Sequence, residues 1–144
     1  MFHTPEEAKT YTLAGKAKIT LTSKKTQKWY TFRVERAEDR ATGKPQDRWF
    51  VQLLAGPDNV SDFVYLGMIF PDSGFRTTKG SKLPPDSVPV RAFNYFWRNL
   101  LDGRIPDDLE IRHEGVCGRC GRPLTVPESI DRGIGPDCWE MMGL

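Results

Sequence analysis

Residues 16–35 read KAKITLTSKKTQKWYTFRVE, and this stretch decides the class of fold. In its first part Ala17, Ile19 and Leu21 alternate with polar residues, which is the period of two expected for a half-buried β-strand. Residues 29–35 repeat the alternation. The polar SKKTQ between the two runs is typical of a hairpin connection. The stretch therefore predicts two antiparallel strands.

A second pair of strands is predicted further along the chain. Residues 48–54 (RWFVQLL) and 62–70 (DFVYLGMIF) are rich in aromatic and β-branched side chains, and the turn-forming AGPDNVS separates them. Residues 37–47 carry turn formers and charges without apolar periodicity. Residues 71–89 hold four prolines, which exclude regular structure over most of that stretch. We expect loops in both places.

Apolar residues at helical spacing predict one amphipathic helix after the second loop. The stripe consists of Val90, Phe93, Phe96, Trp97, Leu100 and Leu101. Such a stripe is far more often a helix packed on a sheet than a ligand site. We therefore predict an α+β fold, with an antiparallel sheet and one packed amphipathic helix over residues 1–103 and a small zinc-binding module over residues 104–144.

The zinc module is predicted from four potential ligands spaced H-x3-C-x2-C-x17-C, a pattern that includes every cysteine of the chain. These ligands are His113, Cys117, Cys120 and Cys138. Zinc takes four such ligands in a tetrahedron, and Gly118 and Gly121 ease the tight turn around the first two cysteines. We expect one structural zinc ion per chain. Asp137, Glu114 and His3 are the alternatives to His113 as fourth ligand.

Other uses of these cysteines are weighed against structural zinc. A redox C-x-x-C is expected in a thioredoxin-like βαβ setting, which the neighbours of Cys117 lack. Catalytic zinc keeps one position open for water, so it requires that His113 is not a ligand. Unligated cysteines in a small core are a third alternative. The sequence holds no P-loop, H-E-x-x-H or Ser/His/Asp arrangement, so we expect no enzyme and no small-molecule substrate.

Basic residues concentrate in the first predicted hairpin. The whole chain has a formal net charge of +2, yet residues 9–36 hold eight Lys and Arg against one acid, a net charge of +7. Cations interleaved with an aromatic side chain are typical of surfaces that bind single-stranded nucleic acid. The predicted contact residues are Lys16, Lys18, Lys24, Lys25, Lys28, Trp29 and Arg33. The alternative is a solvated strand face whose lysines prevent edge aggregation.

The stretch HEGVCGRCGRPLTVPESIDRGIGPDC, residues 113–138, resembles a zinc-finger-like module of small uncharacterised proteins from bacteriophages and actinobacteria, with the pattern HEGxCGRCGRxLTxPESIxxGIGPxC. The resemblance implies zinc on the histidine and the three cysteines, and a phage or prophage origin. It implies no activity. We expect a phage-type zinc-binding accessory protein that binds nucleic acid non-specifically. The alternative is a phage adaptor or inhibitor that binds a host protein, for example a defence factor, through its zinc module.

The N-terminal sequence bears on the compartment. It begins MFHTPEEAKTY, with acidic and polar residues where a secretion signal would carry a basic patch and an apolar run. The sequence also lacks an apolar run of about 18 residues, the length that a membrane-spanning helix needs. We therefore expect a cytoplasmic protein of the host cell that does not bind membranes.

Overall fold

The computed structural model describes residues 1–58, 61–124 and 127–143. Six strands form one antiparallel sheet in the order β5-β4-β3-β2-β1-β6, and helices accompany it, which confirms the α+β class. In chain order the elements are α1 (Pro5–Thr12), β1 (Lys16–Ser23), β2 (Trp29–Glu38), β3 (Pro45–Leu54), β4 (Phe63–Phe70), β5 (Gly74–Arg76), α2 (Val88–Leu101), β6 (Leu109–His113), α3 (Pro127–Arg132) and α4 (Pro136–Met141).

Both predicted hairpins are confirmed, β1 with β2 and β3 with β4. The loop predicted at residues 37–47 is shorter than expected, because β2 continues to Glu38 and pairs there with Pro45 at the start of β3. A register shift between Arg36 and Glu38 lets the pairing continue through a segment without apolar alternation.

The hydrophobic core lies between one face of the sheet and α2. The Phe93 ring of this helix packs against the sheet, and its centroid lies 5.1 Å from that of Phe32 in β2 and 4.7 Å from that of Phe75 in β5. Five of the six residues of the predicted stripe are buried. Leu101 is the exception: it is the last residue of α2 and is 48% exposed.

Helix α1 was not predicted, although the sequence carries a signal for it. Thr4 is the N-cap, and its Oγ1 accepts a hydrogen bond of 3.2 Å from the N–H of Glu7, while Pro5 opens the helix. The helix buries Ala8 and Tyr11 in the core. Ahead of it, the N–H of Phe2 donates to the carbonyl of a β6 residue at 2.9 Å, so the N-terminal segment contacts the C-terminal one.

Strand β6 connects the two predicted parts of the chain. The predicted boundary near residue 104 falls in the loop between α2 and β6, and β6 then pairs with β1 from Ile19 opposite His113 to Ser23 opposite Leu109. The segment that carries the cysteines therefore begins as a strand of the main sheet.

Within the described ranges, none of the helices combines the length and the apolar character needed to cross a membrane.

Candidate metal centre and nucleic-acid interface

The three cysteines converge on one point. The Sγ atoms of Cys117, Cys120 and Cys138 all lie within 4.8 Å of one another. The first two flank a tight turn after β6, and Cys138 lies in the first turn of α4. Around a tetrahedral zinc ion with Zn–S bonds of ~2.3 Å, neighbouring sulfurs are about 3.8 Å apart. The cluster therefore fits a single metal ion.

Backbone donors favour the thiolate form of Cys117. Its Sγ accepts hydrogen bonds from the N–H groups of Gly135 at 3.3 Å and Arg119 at 3.4 Å. Burial acts to raise the pKa of this thiol, but the N–H groups of Gly135, Cys120 and Arg119 act together to lower it to about 7. Because thiolates rather than thiols bind metals, this geometry prepares the site for an ion.

Cys138 has a different environment. Burial is the largest influence and raises the pKa of its thiol above the ordinary value, even though the Arg119 guanidinium favours the thiolate with Nη1 3.6 Å from Sγ. Divalent metals displace the proton from such thiols on binding. The two cysteines thus differ in how readily they ionise before the ion arrives.

His113 lies outside the cysteine cluster. Its Nδ1 accepts a hydrogen bond of 2.9 Å from the N–H of Gly115, and its Nε2 donates to the carbonyl of Ile130. The ring packs against Phe2 and Tyr11, with centroid distances of 5.7 and 5.6 Å. A neutral imidazole has one lone pair for a ligand or a donor, and Gly115 already occupies it. The structure brings the three cysteines together and does not bring His113 to them.

The alternatives to His113 lie in three different places. Glu114 accepts a hydrogen bond from the Thr20 hydroxyl, and His3 is exposed near the N terminus. Asp137 lines the same cavity as the cysteines but is exposed and lies outside their cluster. Every His, Cys, Asp and Glu of the sequence falls within residues 1–58, 61–124 and 127–143, and three cysteines are the single group of such residues that could hold an ion there.

Tyr11 of α1 holds the metal-binding segment against the sheet. A Cβ atom at Gly118 or at Gly133 would lie 2.6 Å from Cδ2 of the Tyr11 ring, so both positions require glycine. The Tyr11 hydroxyl donates to the carbonyl of Lys18 at 3.0 Å and accepts from the Lys18 N–H at 3.1 Å. This contact between the first helix and the cysteine turn was not predicted, because no local sequence pattern indicates it.

The turn of the first hairpin exposes a group of predicted contact residues. Lys24, Lys25 and Lys28 are exposed there, and Trp29 follows at 60% exposure. Trp29 lies on the face of the sheet opposite to α2, where it lines a shallow cavity of about 450 Å³. The other lining residues are Thr20, Thr22, Thr31, Leu54 and Glu114. Trp29 is therefore available to a partner rather than used in the core.

Two of the remaining predicted contact residues, Arg33 and Lys18, contact other side chains of the sheet. The Arg33 Nε forms an ion pair of 2.7 Å with Glu35, and the guanidinium lies 4.4 Å from the ring centre of Phe63. Lys18 Nζ lies 5.5 Å from the same ring, whereas Lys16 is exposed. Since β1 and β4 are separated by two strands, cations from β1 and β2 reach a β4 ring only because the sheet is curled. The face that carries Trp29 is thus concave.

A second basic region adjoins the hairpin turn and was not predicted from the sequence. Lys25 Nζ lies 3.8 Å from Asp108 Oδ2, and the Tyr95 hydroxyl of α2 donates to Asp108 Oδ1 at 2.9 Å. Beside Tyr95, the exposed Arg91 and Arg98 line a hollow of about 710 Å³. Their spacing of seven residues on one helix could have revealed a shared face.

Comparison with known proteins gives one partial match. A family described as a family of unknown function (DUF6011) matches residues 107–143, the segment that contains β6, the three cysteines, α3 and α4. No curated protein and no solved structure matches the chain. The family match thus coincides with the candidate metal centre and leaves β1 to β5 outside it.

Proposed function

We propose that this chain is a non-enzymatic zinc-binding accessory protein of phage or prophage origin that binds single-stranded nucleic acid without sequence specificity. The observation that carries the proposal is the exposed Trp29 beside the lysines of the β1–β2 turn, on the concave face of the sheet. The zinc ion has a structural role in it.

Zinc is the metal that suits the cysteine cluster best. Soft thiolate ligands in a tetrahedral arrangement select zinc among the divalent ions that do not change oxidation state. The matched segment has short helices and one short strand, which bury too little apolar surface to be stable alone. Metal binding would supply the missing free energy of folding.

Nucleic acid suits the hairpin because its exposed groups match the two parts of a single strand. Lysines at the turn can neutralise phosphates, which provides affinity without reading bases. The Trp29 ring can stack on any base, since each base has a π-face. A concave surface with one exposed aromatic ring therefore favours a flexible strand over a rigid duplex.

The first test reverses the charges of the turn. The triple variant Lys24→Glu, Lys25→Glu and Lys28→Glu is expected to lower the affinity for single-stranded DNA at all sequences. Because three cations no longer neutralise phosphates in this variant, the slope of log K against log salt should flatten by about 2. Fluorescence anisotropy with an oligothymidine at several salt concentrations measures both effects.

A matched control carries the same change of net charge elsewhere. Lys44, Lys79 and Lys82 are exposed and lie in loops outside the β1–β2 turn, and their replacement by Glu should leave the slope unchanged. Equal reductions of affinity in the two triple variants would show that net charge rather than the hairpin decides binding.

The second test removes the aromatic ring. Trp29→Ala should weaken single-strand binding by about 5- to 150-fold, which corresponds to roughly 1 to 3 kcal/mol of stacking. Duplex binding should change less, and Trp29→Phe should retain most of the affinity. A Trp29→Ala protein that binds both forms as the wild type does would remove the role assigned to this residue.

A second candidate is an adaptor or inhibitor that binds a host protein, and it is favoured by apolar side chains on the metal-binding segment. Met141 is 70% exposed and Ile130 is 42% exposed. Salt separates the two candidates, because binding to phosphates weakens steeply as salt rises and a largely apolar protein interface does not.

A further inference from the structure

We infer that the metal ion takes its fourth ligand from outside the polypeptide, and that this ligand is a water molecule that an external thiolate can replace. The inference rests on the proposed metal binding and is independent of nucleic acid. A tetrahedral ion needs four ligands, and the described part of the chain assembles three.

The side chains weighed as a fourth ligand lie outside the cysteine cluster. His113 has both ring nitrogens in hydrogen bonds with backbone groups. Glu114 is bonded to Thr20 on the sheet. Asp137 is the strongest competitor, since it precedes Cys138 and lines the cavity, but its carboxylate lies outside the cluster and is exposed.

The cavity at the cysteines has room for an external ligand. It measures about 450 Å³ and is lined by the three cysteines together with Arg119, Arg122, Ser129 and Asp137, among other residues. The volume exceeds what one water molecule needs, so a small organic thiol also fits. An ion held at this wall would remain accessible from the cavity.

Ser129 provides an independent indication of a ligand. Its side chain is fully buried, and its hydroxyl has no hydrogen-bond partner among the residues that the structure describes. A buried hydroxyl without a partner is unfavourable, and such groups in native proteins normally meet a water molecule or a ligand. Because Ser129 lines this same cavity, a water or thiolate on the ion would supply the partner.

The charges of the cavity wall favour an electron-rich ligand. Three thiolates on a divalent ion carry a net charge of −1, and an added thiolate would bring it to −2. The guanidinium of Arg119 lies 3.6 Å from Cys138 Sγ, and Arg122 lines the same cavity. Asp137 is the one carboxylate among the described residues that line the cavity, so the two arginines still outweigh it by one positive charge and offset the charge of an added thiolate.

Cobalt(II) substitution of the full chain tests the inference, because Co²⁺ reports its ligands by absorption. The probe is 2-mercaptoethanol, added to the Co²⁺-loaded protein. We expect a saturable rise of the sulfur-to-cobalt charge-transfer band, from the intensity of three thiolates toward that of four. Cobalt content after gel filtration should stay at one per chain. Ser129→Ala should shift the midpoint of the titration severalfold.

Two variants distinguish an external ligand from a protein ligand. His113→Gln and Asp137→Asn should give the wild-type cobalt spectrum before the thiol is added. A changed starting spectrum in either variant, no response to the thiol, or release of cobalt by it would overturn the inference. A chain that binds neither zinc nor cobalt would instead contradict the proposed zinc function.

Discussion

A Cys138→Ser protein is expected to retain less than about a tenth of the metal bound by the wild-type chain and to lose the fold of residues 114–143. The change removes one of three thiolates and leaves a weak two-cysteine site. Structural zinc contributes roughly 10 to 16 kcal/mol to the folding of small modules, whereas a whole domain is stable by only about 5 to 15 kcal/mol. Removing this ligand is therefore sufficient to unfold the segment.

Metal analysis after gel filtration measures the first effect, and limited proteolysis of residues 114–143 measures the second. The sheet from β1 to β5 should persist, because α2 covers its core with side chains that do not depend on the ion. Met141→Ser is the matched control, since it changes an exposed residue of the same helix and should keep the metal. Full metal content in the Cys138→Ser protein would show that this cysteine is not a ligand.

Gly133→Ala is expected to lower the free energy of unfolding by about 2 to 5 kcal/mol. Gly133 has a φ of +75°, where a side chain costs roughly 1 to 2 kcal/mol. The new Cβ would also lie 2.6 Å from the Tyr11 ring and 3.3 Å from the Phe2 ring, and such overpacking costs about 1 to 3 kcal/mol. Denaturant unfolding of the metal-loaded protein gives the value.

Gly115→Ala separates the two contributions. Gly115 has a nearly equal φ of +77°, but a Cβ there would meet no atom within 4 Å. Its replacement should therefore cost only the backbone part, roughly 1 to 2 kcal/mol. If both variants were destabilised equally, the close packing of the Tyr11 ring against Gly133 would be contradicted.

The strands and the main helix could be predicted because apolar residues recur at a regular spacing within each of them. Alternation placed Ala17, Ile19 and Leu21 on the buried face of β1, and the stripe around Phe93 placed α2 on the sheet. Helix α1 also had a local signal in Thr4 and the acidic residues after Pro5. The pairing of β6 with β1 had none, since it joins residues about ninety positions apart.

In the site too, features set by neighbouring residues could be predicted, and features set by residues distant in the sequence could not. The spacing of the cysteines was sufficient to group them, because a C-x2-C turn and a helix start bring sulfurs together in few geometries. The position of the His113 ring depends on its hydrogen bonds with the backbone of Gly115 and of Ile130 in α3. The spacing of the metal-ligand candidates in the sequence does not reveal these two contacts. Likewise, alternation placed Lys18 on the polar face of β1 but could not show that the sheet curls Lys18 and Arg33 toward Phe63.

The pairing of the sixth strand with the first has a consequence for synthesis of the chain. The backbone edge of β1 that faces β6 emerges from the ribosome early, yet its partner lies in the last quarter of the sequence. Until Leu109–His113 emerges, this edge offers unpaired N–H and C=O groups to other nascent chains. The exposed lysines at the neighbouring turn repel a second copy of the same hairpin during that interval. These charges would therefore protect the nascent chain from aggregation before it binds any partner.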